Sequence, residues 1–201
     1  DLGLRPADRV IVYTGSTTFA NQGEIRELLR AVHLLDRPDR PVRLVRTGFH
    51  PPEFFAACDF DWQRFTVDTG FVAKARLPAL LALADVLVQP GRPGAFDDYR
   101  LPSKLPEFLA MGRPVVLPAC NLGRLLCDGE EALLLPTGSA AEIAGHCERI
   151  LADSALAHRL GDGAAAFARR HFDLAHIGPT LLAFYEDVAA APARADWTQI
   201  N

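Results

Sequence analysis

Two hydrophobic rhythms alternate along this chain. Short apolar runs rich in β-branched residues recur at residues 10–13, 42–45, 65–67, 85–89, 115–117 and 132–135, most of them closed by a turn pair such as Thr14-Gly15, Thr47-Gly48 or Thr69-Gly70. Between them the spacing changes to that of a helix. Ile25, Leu28, Leu29, Val32 and Leu35 fall on one face of a 3.6-residue repeat. Residues 77–84 and 103–111 also read as helices, the second stopped by Gly112 with Pro114 just beyond. Pro51-Pro52 opens a short apolar helix through Cys58.

From residue 139 the pattern turns wholly helical. Ser139 and Glu142 form an S-x-x-E capping box, followed by a helix to about residue 151. Further helices are predicted at 154–160, 163–171 and 175–190, with Asp153 or Ser154, and then Asp173, as N-caps. Residues 191–201 carry no period and read as a tail. Strands separated by helices imply right-handed crossovers. The prediction is an α/β fold, a doubly wound Rossmann-like parallel sheet of about six strands, with residues 1–190 as one domain. Ligands of such sheets bind beyond the carboxyl ends of the strands. The loops after strands one and four are therefore where function is expected.

Composition narrows the class. The chain has 201 residues, 49% hydrophobic and 23% charged, with a net charge of -4. That much apolar content at low net charge excludes disorder as the main state. An acidic chain is a poor general binder of nucleic acid, so any anion must be held by a local cluster. No apolar run reaches the roughly 18 residues of a membrane span. The opening DLGLRPADR is no signal peptide, and without an initiator Met it reads as an excised piece of a longer protein. Cys58, Cys120, Cys127 and Cys147 lack zinc-site spacing and read as reduced, buried thiols of a cytosolic protein.

The familiar nucleotide signatures are missing. The first loop reads GSTTFANQG, which is neither G-x-G-x-x-G nor a Walker A loop, and no G-x-S-x-G elbow occurs. Gly15 and Gly23 still flank a strand-to-helix junction, either as plain turn residues or as a backbone cradle for an anion. Arg92, Arg100 and Lys104 put three cations in the loop after the fourth strand. Ser103 is expected to N-cap the following helix, with Pro106 and Glu107 in its first turn. Such a constellation is either a solvated charged loop or a diphosphate receptor. The adjacent Asp97-Asp98 pair reads as loop polarity and not as a metal site. The histidines, Arg124 and Trp197 read as structural or surface residues.

The segment PSKLPEFLAMGRPVV resembles the donor-binding motif of retaining GT-B glycosyltransferases of the "group 1" family. LPALLALADVLVQP, the opening VIVYTG…NQGEIRELLRAV and the closing HFDLAHIGPTLLAFYEDV resemble the family's flanking elements in the same order, over residues 9–190. The resemblance implies the donor half of an enzyme that moves a sugar from a nucleotide-diphosphate sugar to a sugar or lipid-linked acceptor. Retention, no metal and no other cofactor are implied too. Glu107 corresponds to the ribose-binding carboxylate. Gly15 and Ser16 match the loop at the phosphates, Phe71 and Val72 the segment that reads the base, and Pro102, Ser103 and Lys104 the turn beside the diphosphate. Arg100 stands next to that turn. Catalytic groups are expected in an N-terminal acceptor domain outside this chain, leaving the chain inactive alone. The resemblance also implies a cytoplasmic setting, with peripheral membrane contact through that other half. Two departures stand out: Ser16 and Gln22 occupy positions where many members carry Arg and Lys, and Tyr99 replaces the first Glu of E-x7-E. The alternatives are an epimerase-like enzyme and a non-catalytic GT-B-like binding module.

Overall fold

A computed structural model describes residues 2–51, 53–54 and 58–190. Six parallel strands form one sheet: β1 (Arg9–Thr14), β2 (Val42–Thr47), β3 (Thr66–Asp68), β4 (Val86–Val88), β5 (Val115–Pro118) and β6 (Leu133–Leu135). Their order is β3-β2-β1-β4-β5-β6, so the chain reverses its direction of winding between β1 and β4. The helices are α1 (Gln22–Leu35), α2 (Leu77–Leu81), α3 (Leu105–Ala110), α4 (Ala140–Ala152), α5 (Ser154–Phe172) and α6 (Leu174–Ala190).

β1, β2, β4 and β5 are largely buried on both faces, which is why they read as continuous apolar runs, whereas the edge strand β3 is only partly buried. Within β1, Ile11 and Tyr13 point to one side and Val10 and Val12 to the other. The first side packs on α1 and α4, and all five residues of the predicted stripe are buried there. The second side packs on α2, α3 and the later half of α5 through Leu81, Phe108, Leu109 and Phe167. Asp85, the charge that interrupts the fourth apolar run, sits just before β4 and accepts a hydrogen bond from Val10 N at 2.7 Å. It ties the two central strands together at their amino ends.

The helical third departs from expectation in one place. The two helices predicted at 154–160 and 163–171 are a single helix, α5. Gly161 and Gly163 look like a break in the sequence, but each is a site of close approach. A Cβ at Gly161 would collide with the Gly112 carbonyl, and one at Gly163 with the Glu130 carbonyl. The N-caps agree with the pattern, but the capping box is not reciprocal, since Glu142 accepts from Thr137 N and Gly138 N while Ser139 N donates to Thr137 Oγ1. Ser139 Oγ accepts from Glu142 N at 3.3 Å, and Asp153 Oδ1 from Ala155 N and Leu156 N at 2.9 and 3.0 Å. Asp173 Oδ1 accepts from Ala175 N at 2.9 Å at the start of α6. The helix predicted after Pro51-Pro52 falls partly on residues outside those described, and Trp197 and the tail do so entirely. Of the four cysteines, all free, Cys120 and Cys147 are buried, but Cys58 is only half-buried and Cys127 is exposed. Cys127 follows the turn Asn121–Leu125, at the surface end of the segment leading to β6.

Candidate functional site

The reversal between β1 and β4 opens a crevice at the carboxyl ends of the strands, and the loops after β1, β2 and β4 converge there. The β1 loop is held rigidly. Asn21 Nδ2 donates to Ser16 O at 3.0 Å, and Thr18 N donates to Asn21 Oδ1 at 2.7 Å. Ser16 Oγ accepts from Phe49 N at 3.1 Å, and Thr17 N donates to Phe49 O at 2.7 Å. The loops after β1 and β2 touch so closely that a Cβ on Gly48 would stand 2.6 Å from Gly15 C and Ser16 N. Gly48 N in turn donates to Gly70 O at 2.7 Å, which carries the chain of contacts to the loop after β3.

Gly15 has φ +134, a conformation that suits glycine. A Cβ there would lie 2.6 Å from Lys104 Nζ and 3.2 Å from the Tyr13 hydroxyl. The structure thus brings a lysine from the turn before α3 onto the glycine after β1. Lys104 Nζ stands 4.3 Å from the centre of the Tyr13 ring, within cation–π range. Burial, followed by the repulsion of Arg100, pulls the Lys104 ammonium down to about 8. Burial likewise pushes the Tyr13 hydroxyl up to about 12, so that ring stays neutral.

Two carboxylates complete the cluster. Glu24, in the first turn of α1, lies close to Asp97 from the loop after β4. Burial first, and then the charge of Asp97, raises Glu24 to about 7. Asp97 also faces Arg100, with Oδ1 3.6 Å from Nη2. Asp97 is therefore not mere loop polarity, as its sequence context suggests. Its neighbour Asp98 pairs with the exposed Arg124 at 2.7 Å and accepts from Asn121 Nδ2 at 3.1 Å through its carbonyl.

Of the residues singled out in the sequence, Gly15, Ser16, Arg100 and Lys104 meet in this crevice. Ser103 does not cap α3. The N-cap position is Lys104, and no side chain makes a capping bond, because the tight turn from Pro102 O to Leu105 N already leads into the helix. Ser103 and Glu107 are exposed and Pro102 is half-buried. Pro102 lines a small cavity of about 20 Å³ with Gln89, Gly91, Asp97 and Arg100. Phe71 and Val72 lie further along, lining an apolar cavity of about 460 Å³ with Thr69, Ala73 and Leu80. From β3 to β4 is three strand spacings, roughly 14 Å, a fair span for a nucleoside diphosphate. Tyr99 is exposed and Arg92 projects from the surface.

His33, His146 and His50 have partners of their own. His33 stacks on Phe60 at 4.9 Å, His146 Nε2 lies 2.9 Å from Leu134 O, and His50 pairs with Asp68 at 3.1 Å. Among the described residues no group of three or more His, Cys, Asp or Glu is arranged to hold a metal ion. None of the described helices is long and apolar enough to cross a membrane.

Tyr13, Glu24 and Asp97 belong to the site but carry no motif. One signal was present for Glu24: it is an acidic residue in the first turn of α1, directly after Gly23.

Comparison with known proteins gives this arrangement a family. The model of the group 1 glycosyl transferases matches residues 8–153. An alpha-D-kanosaminyltransferase of Streptomyces kanamyceticus is 27% identical over 121 residues, which cover 60% of this chain and 30% of that protein. Sucrose-phosphate synthase of Thermosynechococcus elongatus superposes with a TM-score of 0.76 at 21% identity, over 95% of this chain and 48% of its own. HepE of Anabaena, in complex with UDP-glucose, superposes at 0.72 and 17% identity, over 90% of this chain and 49% of its own. The C-terminal domain of the group 1 glycosyl transferase LpcC of Francisella tularensis superposes at 0.64 and 15% identity, over 83% and 87%. The chain therefore spans less than a third of its curated relative and about half of the first two of these structures.

Proposed function

The chain belongs to the group 1 glycosyl transferases, and on that premise we propose that it is the donor-binding domain of an enzyme that transfers a sugar from a uridine-diphosphate sugar. The observation that carries this reading is Lys104 set against Gly15 at the crevice between β1 and β4. A half-buried ammonium facing a glycine with no side chain to shield it is a receptor for an anion that brings its own charge. The diphosphate would lie over Gly15, between Lys104 and Arg100, with the base toward Phe71 and Val72 and the ribose toward Glu107. Uridine is chosen because HepE, of the same fold, is seen with UDP and UDP-glucose. The kanosaminyltransferase extends the range of donor sugars to amino-hexoses.

In this reading the cations missing at Ser16 and Gln22 are replaced by Arg100 and Lys104, in the loop and turn that lead into α3. Ser16 Oγ and Gln22 Oε1 are engaged locally, the first by Phe49 N and the second by Arg26 Nη2 at 3.2 Å. As the glycosidic bond breaks, charge grows on the leaving diphosphate, and Lys104 and Arg100 stabilise it without a metal. Retention and the metal-free mechanism are part of the proposal. So is a partner domain that brings the acceptor and the remaining catalytic groups, without which the chain does not turn over.

Binding of UDP, GDP and ADP to the 201-residue chain by titration calorimetry tests this. The expected result is a preference for UDP that Lys104→Ala weakens by about 10- to 100-fold, the value of a charge-assisted bond. Absence of binding by any of the three at millimolar concentration refutes the reading. It would favour the non-catalytic module, for which the exposed Tyr99 in place of a glutamate is the specific observation.

A further inference from the structure

One buried charge has no part in the cluster described above. Arg46 is 0% exposed. It stands in β2 in register with Tyr13 of β1 and Asp68 of β3, so the three form a row across neighbouring strands. Tyr13 and Arg46 are the penultimate residues of their strands and Asp68 is the last of its own, which puts the row directly beneath the loops of the crevice. Val42 and Leu44, the alternate residues of β2 that share the face of Arg46, belong to the apolar core beside α1. An apolar residue at position 46 would continue that pattern. A buried ion pair tends to lose in desolvation what it gains in attraction, so stability is a poor reason for a charge here.

What the guanidinium holds explains it better. Arg46 Nη2 donates to Thr17 Oγ1 at 3.3 Å, in the loop after β1. Thr17 is itself buried and directly follows Ser16. Arg46 Nη1 faces Asp68 Oδ2 at 3.6 Å. Asp68 is fixed from two further sides, since its Oδ1 accepts from Gly70 N at 3.1 Å and its Oδ2 lies 3.1 Å from His50 Nε2. The backbone adds to the same junction: Arg46 O accepts from Thr69 N and Thr69 Oγ1, both at 3.0 Å. One residue thus joins the loop assigned to the phosphates to the loop that leads to Phe71 and Val72. A guanidinium suits the task, because its planar fork offers several donors in a fixed geometry and stays charged, whereas a lysine offers a point charge without the fork.

Resting on the donor-site reading above, we propose that Arg46 is a positioning residue of the donor site: anchored on Asp68, it holds Thr17 and so sets the backbone of Gly15 and Ser16 in the shape that receives the diphosphate. It acts from beneath the loop and touches no ligand. A loop released from Arg46 has to be ordered by the arriving donor, and the cost of that ordering is taken from the affinity.

The test is a double-mutant cycle read by titration calorimetry of UDP on the full 201-residue chain. Arg46→Met and Thr17→Val are each expected to weaken UDP about tenfold, the value of a hydrogen bond to a charged group. The double variant is expected to be no weaker than either alone, because both changes break the same bond. Thr17→Ser keeps the acceptor oxygen and is expected to bind as the native chain does, while Arg46→Lys keeps a charge without the fork and is expected to stay weakened. Should Arg46→Met not fold, the comparison of Thr17→Val with Thr17→Ser decides alone. Hydrogen exchange without ligand gives a second readout. The Thr17 amide, bonded to Phe49 O, is expected to exchange about tenfold faster in Thr17→Val and Arg46→Met, while amides of β5, two strands from β1, do not change. An arginine that serves stability alone would lower the melting temperature and leave the UDP Kd of the folded variants unchanged. That result overturns the proposal, as do losses that add in the double variant, and either leaves the UDP reading intact. Failure of the native chain to bind UDP at all overturns both.

Discussion

If the diphosphate settles on Lys104, binding must take up a proton at alkaline pH. Free Lys104 titrates at about 8 because burial and Arg100 disfavour its charge. At pH 8.5 roughly three quarters of the lysines are therefore neutral. An arriving diphosphate reverses the balance and holds the ammonium protonated, so each binding event should draw roughly 0.7 of a proton from the buffer. Above pH 8 affinity should fall toward tenfold per unit, since one neutral lysine must be charged for each ligand bound. Calorimetry of UDP-glucose binding at pH 8.5, in buffers of different ionisation enthalpy, reads this directly. The slope of observed enthalpy against buffer enthalpy is the number of protons taken up. Lys104→Met should abolish the slope and flatten the alkaline loss of affinity. Tight binding without proton uptake, or uptake that survives Lys104→Met, would refute the placement of the phosphate at Lys104.

Three further outcomes follow from the same groups and from the core. Folding lowers the Lys104 pKa from 10.5 to about 8, so the unfolded chain binds that proton more tightly and a charged Lys104 weakens the free protein. Lys104→Met should therefore raise the unfolding temperature at pH 7 by a few degrees, equivalent to about 1–2 kcal/mol, while removing the shift produced by UDP. Folding raises Glu24 from 4.5 to about 7, so its contribution to stability declines as pH rises from about 4.5 to 7. In Glu24→Gln that decline disappears, and denaturant midpoints at pH 8 should exceed those of the native chain. Gly161→Ala would stabilise an ordinary exposed helix by about 1 kcal/mol. Here the added methyl meets the Gly112 carbonyl, and chemical denaturation should show a loss of about 2 kcal/mol or more.

Most of the scaffold was legible because both rhythms of the chain are driven by burial. Six strands and the stripe on α1 follow from apolar spacing alone, since the sheet is covered on both faces. What failed were places where one residue serves a distant contact. Gly161 and Gly163 break a helical pattern on paper, yet in the fold they let α5 lie against the carbonyls of Gly112 and Glu130. Ser103 has the chemistry of a cap, but the turn from Pro102 carries the chain past it. The site divides in the same way. Lys104 and Arg100 stood out as cations in an acidic chain, and Gly15 as a glycine after a strand. Glu24 and Asp97 lie 73 positions apart in sequence, and only the order β1-β4 at the centre of the sheet brings them together. No local signal could announce a pair of carboxyl groups brought together across the reversal point.

The departures at Ser16 and Gln22 gain a physical reason from this geometry. Were the phosphate cations on the β1 loop, an arginine at position 16 would give up the bond from Phe49 N to Ser16 Oγ that joins the loops after β1 and β2. A lysine at position 22 would give up the Gln22–Arg26 contact at the start of α1. Placing the charge on Lys104 keeps the loop neutral and tightly bonded, and moves the cation to a turn that leads into α3. There the opposing carboxylates of Glu24 and Asp97 come within reach and partly offset Arg100 before the donor arrives. On the proposed placement of the diphosphate, the donor has to displace this internal charge balance. Removing Asp97 should consequently strengthen UDP binding by unmasking Arg100.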